Sequence, residues 1–295
     1  MGAVGVVTGG VSGIGRALGE ALVGRGDTVV LADVDEAVHT VAKEMADRGP
    51  GSAAPALVDV RDAAAVQAMV EQAQRDHGRL DLMFNNAGVG VAGEADELTL
   101  AHWNRALDVN VHGVIHGVHA AYPLMLAQGF GHIVNTASAA GLMPSPLITP
   151  YGMSKHAVVG LSLSLRIEAA DRGVKVSVVC PGVIETPILE RGNPSDLPSL
   201  PRILSPPKAR EYLERFNKPY PASALAADVL RGVERNRAVI VAPRKAHAYW
   251  LLQRAAPQLV ARAGRKNVAW ARRQVETEMT SQRIAGQPQR PSNQP

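Results

Sequence analysis

Short apolar runs alternate along this chain with longer segments whose apolar residues recur every three or four positions. The runs cover residues 3–8, 28–32, 56–60, 82–85, 132–136, 175–180 and 238–241. They are rich in Val, Ile and Leu and show little two-residue alternation, the pattern of strands buried on both faces. The periodic segments, near 14–25, 36–48, 62–77, 99–127, 151–171 and 223–235, predict helices. Strand–helix alternation predicts a parallel sheet with helices on both faces and right-handed crossovers. Seven such strands predict a doubly wound α/β sheet in a single domain over residues 1–245, and 295 residues suffice for its core.

Two stretches break the alternation. Residues 187–221 hold eight prolines and predict an irregular insertion between the sixth and seventh strands. Connections of that length are often lids or binding loops. Residues 246–286 predict a basic helical extension. They mix Tyr249, Trp250, Leu251, Leu252, Leu259, Val260, Val268 and Trp270 with Arg254, Arg262, Arg265, Lys266, Arg272 and Arg273. Pro257 and Gly264 predict its division into short helices. Residues 287–295 are polar and proline-rich and predict disorder.

Charge sharpens that division. The net charge of +4 combines an acidic body with a basic tail. Residues 1–234 carry 19 Lys and Arg against 25 Asp and Glu, whereas residues 235–295 carry 12 against 2. Two readings of the tail stand open: peripheral contact with an anionic membrane, or packing on the domain with the arginines in water. Nucleic-acid binding is not expected, since a basic tail alone supplies no base readout. No apolar stretch reaches the ~18 residues that span a bilayer. The N-terminus runs straight into a strand, without the basic segment of a cleavable signal. The one cysteine, Cys180, permits no intrachain disulfide. These features predict a cytoplasmic location.

Tyr151 and Lys155 stand four residues apart, so a helix puts both on one face. Ser138 lies thirteen residues upstream of Tyr151, at the end of a strand-like run. Residues 8–15 read Thr-Gly-Gly-Val-Ser-Gly-Ile-Gly, after the first strand and at the start of the first helix. Such a turn lets backbone amides and the positive helix end meet a pyrophosphate. Asp33 ends the second strand, eighteen residues beyond Gly15. A carboxylate there can accept hydrogen bonds from ribose hydroxyls and repels a 2′-phosphate. Gly10, Ser12 and Val34 offer no cation to neutralise one, so NAD is expected rather than NADP. A phenol, an ammonium and a hydroxyl beside a nucleotide turn predict an oxidoreductase interconverting a secondary alcohol and a ketone.

Taken in order, residues 8–15, Asp33, Asp59 and Val60, residues 85–88 (Asn-Asn-Ala-Gly), Asn110, Ser138, Tyr151 with Lys155, and residues 181–186 (Pro-Gly-Val-Ile-Glu-Thr) resemble the short-chain dehydrogenase/reductase family. The resemblance covers residues 3–245, roughly, and implies a Rossmann-type fold. It implies a cofactor held by Gly9, Ser12, Gly13, Ile14 and Gly15, with Asp33 at the adenosine ribose and Asp59 and Val60 at the adenine. Asn86 and Gly88 would lie beside the cofactor, and Ile184 and Thr186 at the nicotinamide carboxamide. Tyr151 would be the catalytic acid/base. Lys155 would lower its pKa and hold the nicotinamide ribose, Ser138 would bond the substrate oxygen, and Asn110 would support a relay water. The resemblance also implies a homodimer or homotetramer built on the helices near 99–127 and 151–171.

Leu142, Met143, Leu147 and Ile148 lie between Ser138 and Tyr151, and Ile188, Leu189, Leu197, Leu200, Ile203 and Leu204 lie in the insertion. If these line the pocket, the substrate is apolar: steroid-, retinoid- or lipid-like. His112, His116 and His119 recur on one helical face. With no cysteine and no second ligand-bearing segment beside them, they read as a helix surface at a subunit contact rather than a metal site. Two alternatives to the NAD-dependent enzyme remain. One is an NADPH-dependent carbonyl reductase. The other is a non-catalytic NAD(H)-binding scaffold tethered through its tail, which would not need Tyr151.

Overall fold

The computed structural model describes residues 2–215 and 218–285. Its strands are β1 (Val4–Thr8), β2 (Thr28–Asp33), β3 (Ser52–Leu57), β4 (Leu82–Asn85), β5 (Gly131–Thr136), β6 (Val174–Pro181), β7 (Ile184–Glu185), β8 (Tyr220–Pro221) and β9 (Val239–Ala242). Its helices are α1 (Gly13–Gly24), α2 (Val38–Arg48), α3 (Ala63–His77), α4 (Leu100–Leu107), α5 (Gly113–Gln128), α6 (Thr149–Glu168), α7 (Pro206–Glu214), α8 (Ala222–Glu234), α9 (Arg244–Ala255) and α10 (Pro257–Ala285). Seven strands form one parallel sheet in the order β3-β2-β1-β4-β5-β6-β9. β1 and β4 are buried along their whole length, because their apolar residues on both pleat faces need cover from both sides.

That cover comes as two apolar layers. Leu18, Leu22, Leu31, Leu225 and Val229 fill the layer under α1, α2 and α8. Val66, Val70, Met83, Met125 and Ile133 fill the layer under α3 and α5. The chain winds from β1 to β2 and β3 on one side and returns at β4 on the other. The carboxyl ends of β1 and β4 therefore diverge and open a crevice, the switch point where doubly wound sheets bind ligands.

Four expectations need correction. β3 starts at Ser52 rather than near residue 56, with Thr28 to Asp33 paired against Ser52 to Leu57. It is an edge strand, largely exposed, so apolar content does not mark it, and an edge tolerates Pro55. Asp59 and Val60 consequently lie in the turn beyond the strand. The helix expected over 99–127 is α4, a π-helical turn at Asp108–His112, and α5. The insertion is not irregular throughout: it holds a 3₁₀ turn at Pro187–Leu189 and the helix α7. Its prolines open α7 at the first turn, where a missing N–H costs nothing. Finally, the tail does not break at Gly264. It breaks at Ala256, and Pro257 opens a 29-residue helix. One interior glycine costs about 1 kcal/mol, too little to end it. The disorder expected at 287–295 lies outside the described residues. Among the described residues, no helix is long and apolar enough to cross a membrane.

Candidate active site

The crevice is built first from backbone. Gly9 has φ +69°, and a Cβ there would stand 2.9 Å from Ala87 Cα, so only glycine lets the β1 turn approach the end of β4. A Cβ on Gly15 would lie 2.0 Å from Gly9 O. Gly13 faces the Thr186 methyl, which brings residues 184–186 over the same turn. Ser12 caps α1 without a side-chain hydrogen bond, so its hydroxyl does not occupy the first-turn amides of the helix.

Polar side chains bind the strand ends together. Thr8 Oγ1 accepts from Asn86 N (2.9 Å) and Ala87 N (3.0 Å), while Asn86 Nδ2 donates to Thr8 O (3.0 Å). Thr136 Oγ1 reaches Asn86 Oδ1 at 3.3 Å. Asp33 ends β2 on the rim, its carboxylate accepting from Val11 N at 3.0 Å and Asp35 N at 3.2 Å. Asp59 is gripped by Arg61, whose Nη2 lies 2.6 Å from Oδ2, and these bonds hold its carboxyl below the usual range. The Val60 carbonyl accepts from His116 Nδ1 at 2.8 Å. His112 and His116 stack at 6.4 Å, and His112 also meets Asp108 at 3.3 Å. Among the described residues, no group of three or more ligating side chains is placed to hold a metal.

The end of β5 and the start of α6 supply the candidate catalytic groups. Pro150 lies in the first turn of α6, which carries Tyr151 and Lys155 one turn apart. Ser138 caps the 3₁₀ turn at Ala139–Gly141, its Oγ accepting from Ala140 N at 3.1 Å and donating to Pro181 O at 3.5 Å, and its hydroxyl stands beside the Tyr151 phenol. Burial pushes the phenol up, and the neighbouring Ser138 hydroxyl draws it back. Lys155 Nζ lies 5.6 Å from the Tyr151 ring centre and donates to Thr136 O at 2.9 Å. Burial lowers its pKa to about 8. Among the described residues Thr136 O is its only hydrogen-bond acceptor, and an ammonium has three donors. Beneath lies Cys180, buried and pushed up to about 12, a neutral thiol.

Asn110 sits in the π-helical turn, fully buried. Its Oδ1 accepts from Val89 N at 2.8 Å, and its Nδ2 donates to Val89 O and Ser154 Oγ, both at 3.0 Å. Ser154 in turn donates to Tyr151 O at 2.7 Å. Gly88 lies beside both, since a Cβ there would stand 3.1 Å from Asn110 Oδ1 and 3.3 Å from Lys155 Nζ. Sequence reasoning missed Arg61, Thr136 and Ser154, and gave Thr8, quoted within the glycine-rich turn, no role of its own. Of the three missed, Ser154 alone left a trace, three residues past Tyr151 on the same helical face.

The insertion closes over this site. Asn193 bonds Ala92 reciprocally, with its Oδ1 accepting at 2.8 Å and its Nδ2 donating at 2.9 Å. Arg202 reaches Glu97 (2.6 Å) and Asp96 (2.5 Å), Arg105 pairs with Asp196, and His102 Nε2 meets Pro198 O at 3.1 Å. Leu189 and Leu200 are buried beneath it, whereas Ile188 is 43% exposed and stands over Gly90.

Residues 3–196 match the model of the short chain dehydrogenase family, and the chain belongs to that family. Cyclohexanol dehydrogenase of Acinetobacter sp. is 39% identical over 188 residues, 63% of this chain and 74% of that protein. A short chain dehydrogenase/reductase from Burkholderia phymatum, solved in complex with NAD, superposes with a TM-score of 0.77 at 35% identity, covering 88% of this chain and 95% of that one. A short-chain dehydrogenase from Sphingobium yanoikuyae, solved with NADPH, gives 0.71 at 25% identity, covering 88% and 94%.

Proposed function

We propose that the protein is an NAD-dependent dehydrogenase that interconverts an apolar secondary alcohol and its ketone. The observation that carries this reading is the contact of Ser138 with the Tyr151 phenol, one helical turn from a buried ammonium at Lys155. The crevice fits a dinucleotide. Side chains are excluded at Gly9 and Gly15, the α1 amides lack a side-chain cap, and Lys155 has donors to spare. Asp33 on the rim favours ribose hydroxyls over a 2′-phosphate. The relatives leave both cofactors in view, one neighbour being solved with NAD and another with NADPH.

The bound nicotinamide would supply hydride acceptance and release. The chain's own residues handle the proton. Ser138 holds the substrate oxygen against the phenol, and Tyr151 takes the proton from an alcohol or returns it to a ketone. An ammonium at Lys155 favours the phenolate on general grounds, while in the structure it is the Ser138 hydroxyl that offsets the burial raising the phenol. Asn110, through Ser154, fixes the carbonyl end of the Tyr151 turn. Apolar side chains at Leu189 and Leu200 support a hydrophobic substrate, in keeping with the cyclohexanol named for one relative. The same reading makes the enzyme a homo-oligomer of the cytoplasm.

Fluorescence titration with NADH and NADPH, followed by turnover of hydrophobic secondary alcohols, tests it. NADH should bind more tightly. Tyr151→Phe should lower kcat by about 10²–10⁴-fold and leave NADH affinity unchanged. A Tyr151→Phe enzyme with full activity would overturn the mechanism. Tighter NADPH binding would overturn the role of Asp33.

A further inference from the structure

The C-terminal helices present an unusual surface. On α9, Ala246 is buried and Trp250 and Gln253 are half-buried, so these define the inner side. The opposite side carries Ala248, Leu251, Leu252 and Ala255, all exposed and spaced i, i+3, i+4, i+7. An amphipathic helix packed on a water-facing domain points such a stripe inward. Here it points outward, with Leu251 50% and Leu252 41% exposed and Tyr249 at its edge.

α10 completes the surface. Ala271 and Val275 mark its buried side, and Leu259, Arg262, Lys266, Ala269 and Arg273 are all exposed. No acidic residue occurs from Arg235 through Val275, a stretch with ten Lys and Arg. An outward apolar stripe followed by exposed cations, in a stretch without acidic residues, is complementary to one kind of surface, apolar just beneath a layer of anions. A second copy of the chain fits less well, because a two-fold contact would set this basic face against itself.

We infer that α9 and the first half of α10 form a docking surface for an anionic lipid bilayer, with Leu251 and Leu252 entering the interface and Arg262 and Lys266 meeting lipid phosphates. The docking is peripheral and independent of the reaction. It leaves the second half of α10 free to keep its contacts with the insertion.

The test is co-sedimentation of the full chain with vesicles of phosphatidylcholine containing about 30% phosphatidylglycerol, and with phosphatidylcholine alone. The protein should partition to the anionic vesicles only, and should be released as NaCl rises from about 0.05 M to about 0.5 M. Leu251→Ser with Leu252→Ser should weaken partitioning roughly tenfold, as should Arg262→Glu with Lys266→Glu, with melting temperature and NADH binding unchanged. No partitioning, or equal partitioning to neutral vesicles, overturns the proposal. So does a lipid-free oligomer that the Leu251→Ser, Leu252→Ser variant breaks apart, because the surface is then a contact between copies.

Discussion

His132 and Lys155 are basic side chains hidden from water at opposite ends of β5. Lys155 reaches the carbonyl of Thr136 at the strand's carboxyl end, inside the crevice. His132 lies at the amino end, in the core, with Nε2 2.8 Å from Ser177 Oγ. Ser177 spends its own proton on Arg237 O at 2.6 Å, so it accepts from Nε2–H and the ring is neutral. Burial first, then Lys175 and Arg166, lower the imidazole from 6.5 to about 4. A base whose pKa falls on folding binds protons more readily when unfolded. Its stabilisation is therefore whole above pH 6.5 and is lost as pH falls through 4. Stability should decline by up to about 3 kcal/mol across that window. Urea midpoints for the natural chain and His132→Gln, measured at steps between pH 7 and pH 4, check this. The glutamine keeps an N–H for Ser177 and cannot titrate, so its curve should be flatter. Parallel curves would remove His132 from the account.

At the scale of elements, the π-helical turn at Asp108–His112 does what a regular helix over 99–127 could not. One extra residue in the turn lets the helix carry Asn110 into the crevice while α4 and α5 keep their packing. Three hydrogen bonds of Asn110 then tie the Val89 loop to the first turn of α6. Asn110→Ala leaves the half-buried Val89 amide and carbonyl without their partner, so it should cost about 1–3 kcal/mol and reduce kcat as Tyr151 loses its support. A thermal midpoint equal to the natural chain's would show that water replaces the side chain. How much of this was legible follows from what each residue answers to. Strands buried on both faces announce themselves by composition, and so β1, β4 and β6 were foreseen to within a residue or two. β3 answers to its pairing with β2 alone, and its exposed face carries no apolar signal. The site motifs were legible because their chemistry restricts residue type. The bracing roles of Thr8, Thr136 and Ser154 were not, since hydroxyls that brace a turn or a helix look like any other. The π turn is a register shift, to which the 3.6-residue period is blind.

At the scale of the molecule, the insertion is held from two directions. Its front edge is stapled to the β4–α4 segment through Asn193 and Arg202. Its back is held by α10, where Trp270 stacks on Tyr212 of α7 at 6.4 Å and Glu278 accepts from Ser205 Oγ at 2.7 Å. Arg272 joins the two sides by reaching Glu94 at 2.7 Å and 2.9 Å. The Glu94 side chain is 11% exposed and the Arg272 pair draws its pKa down, so the bridge persists at neutral pH and fails only as acid titrates the carboxylate below its ordinary 4.5. Arg272→Ala leaves a nearly buried carboxylate without its cation, at the seam where α10 meets the segment that staples the cover's front edge. The cover should then open more often. Cleavage by a nonspecific protease within residues 190–205 should quicken several-fold, and KM for an apolar alcohol should rise while kcat holds, because Tyr151, Ser138 and Lys155 stand on other elements. Arg273→Ala, one position along and facing water, is the control. If both variants are cleaved at the same rate as the natural chain, α10 does not hold the cover and the contacts at Trp270 and Glu278 are packing alone. If Arg272→Ala alone is cleaved faster, the extension is part of the substrate site, reaching it over 178 residues of sequence through one ion pair.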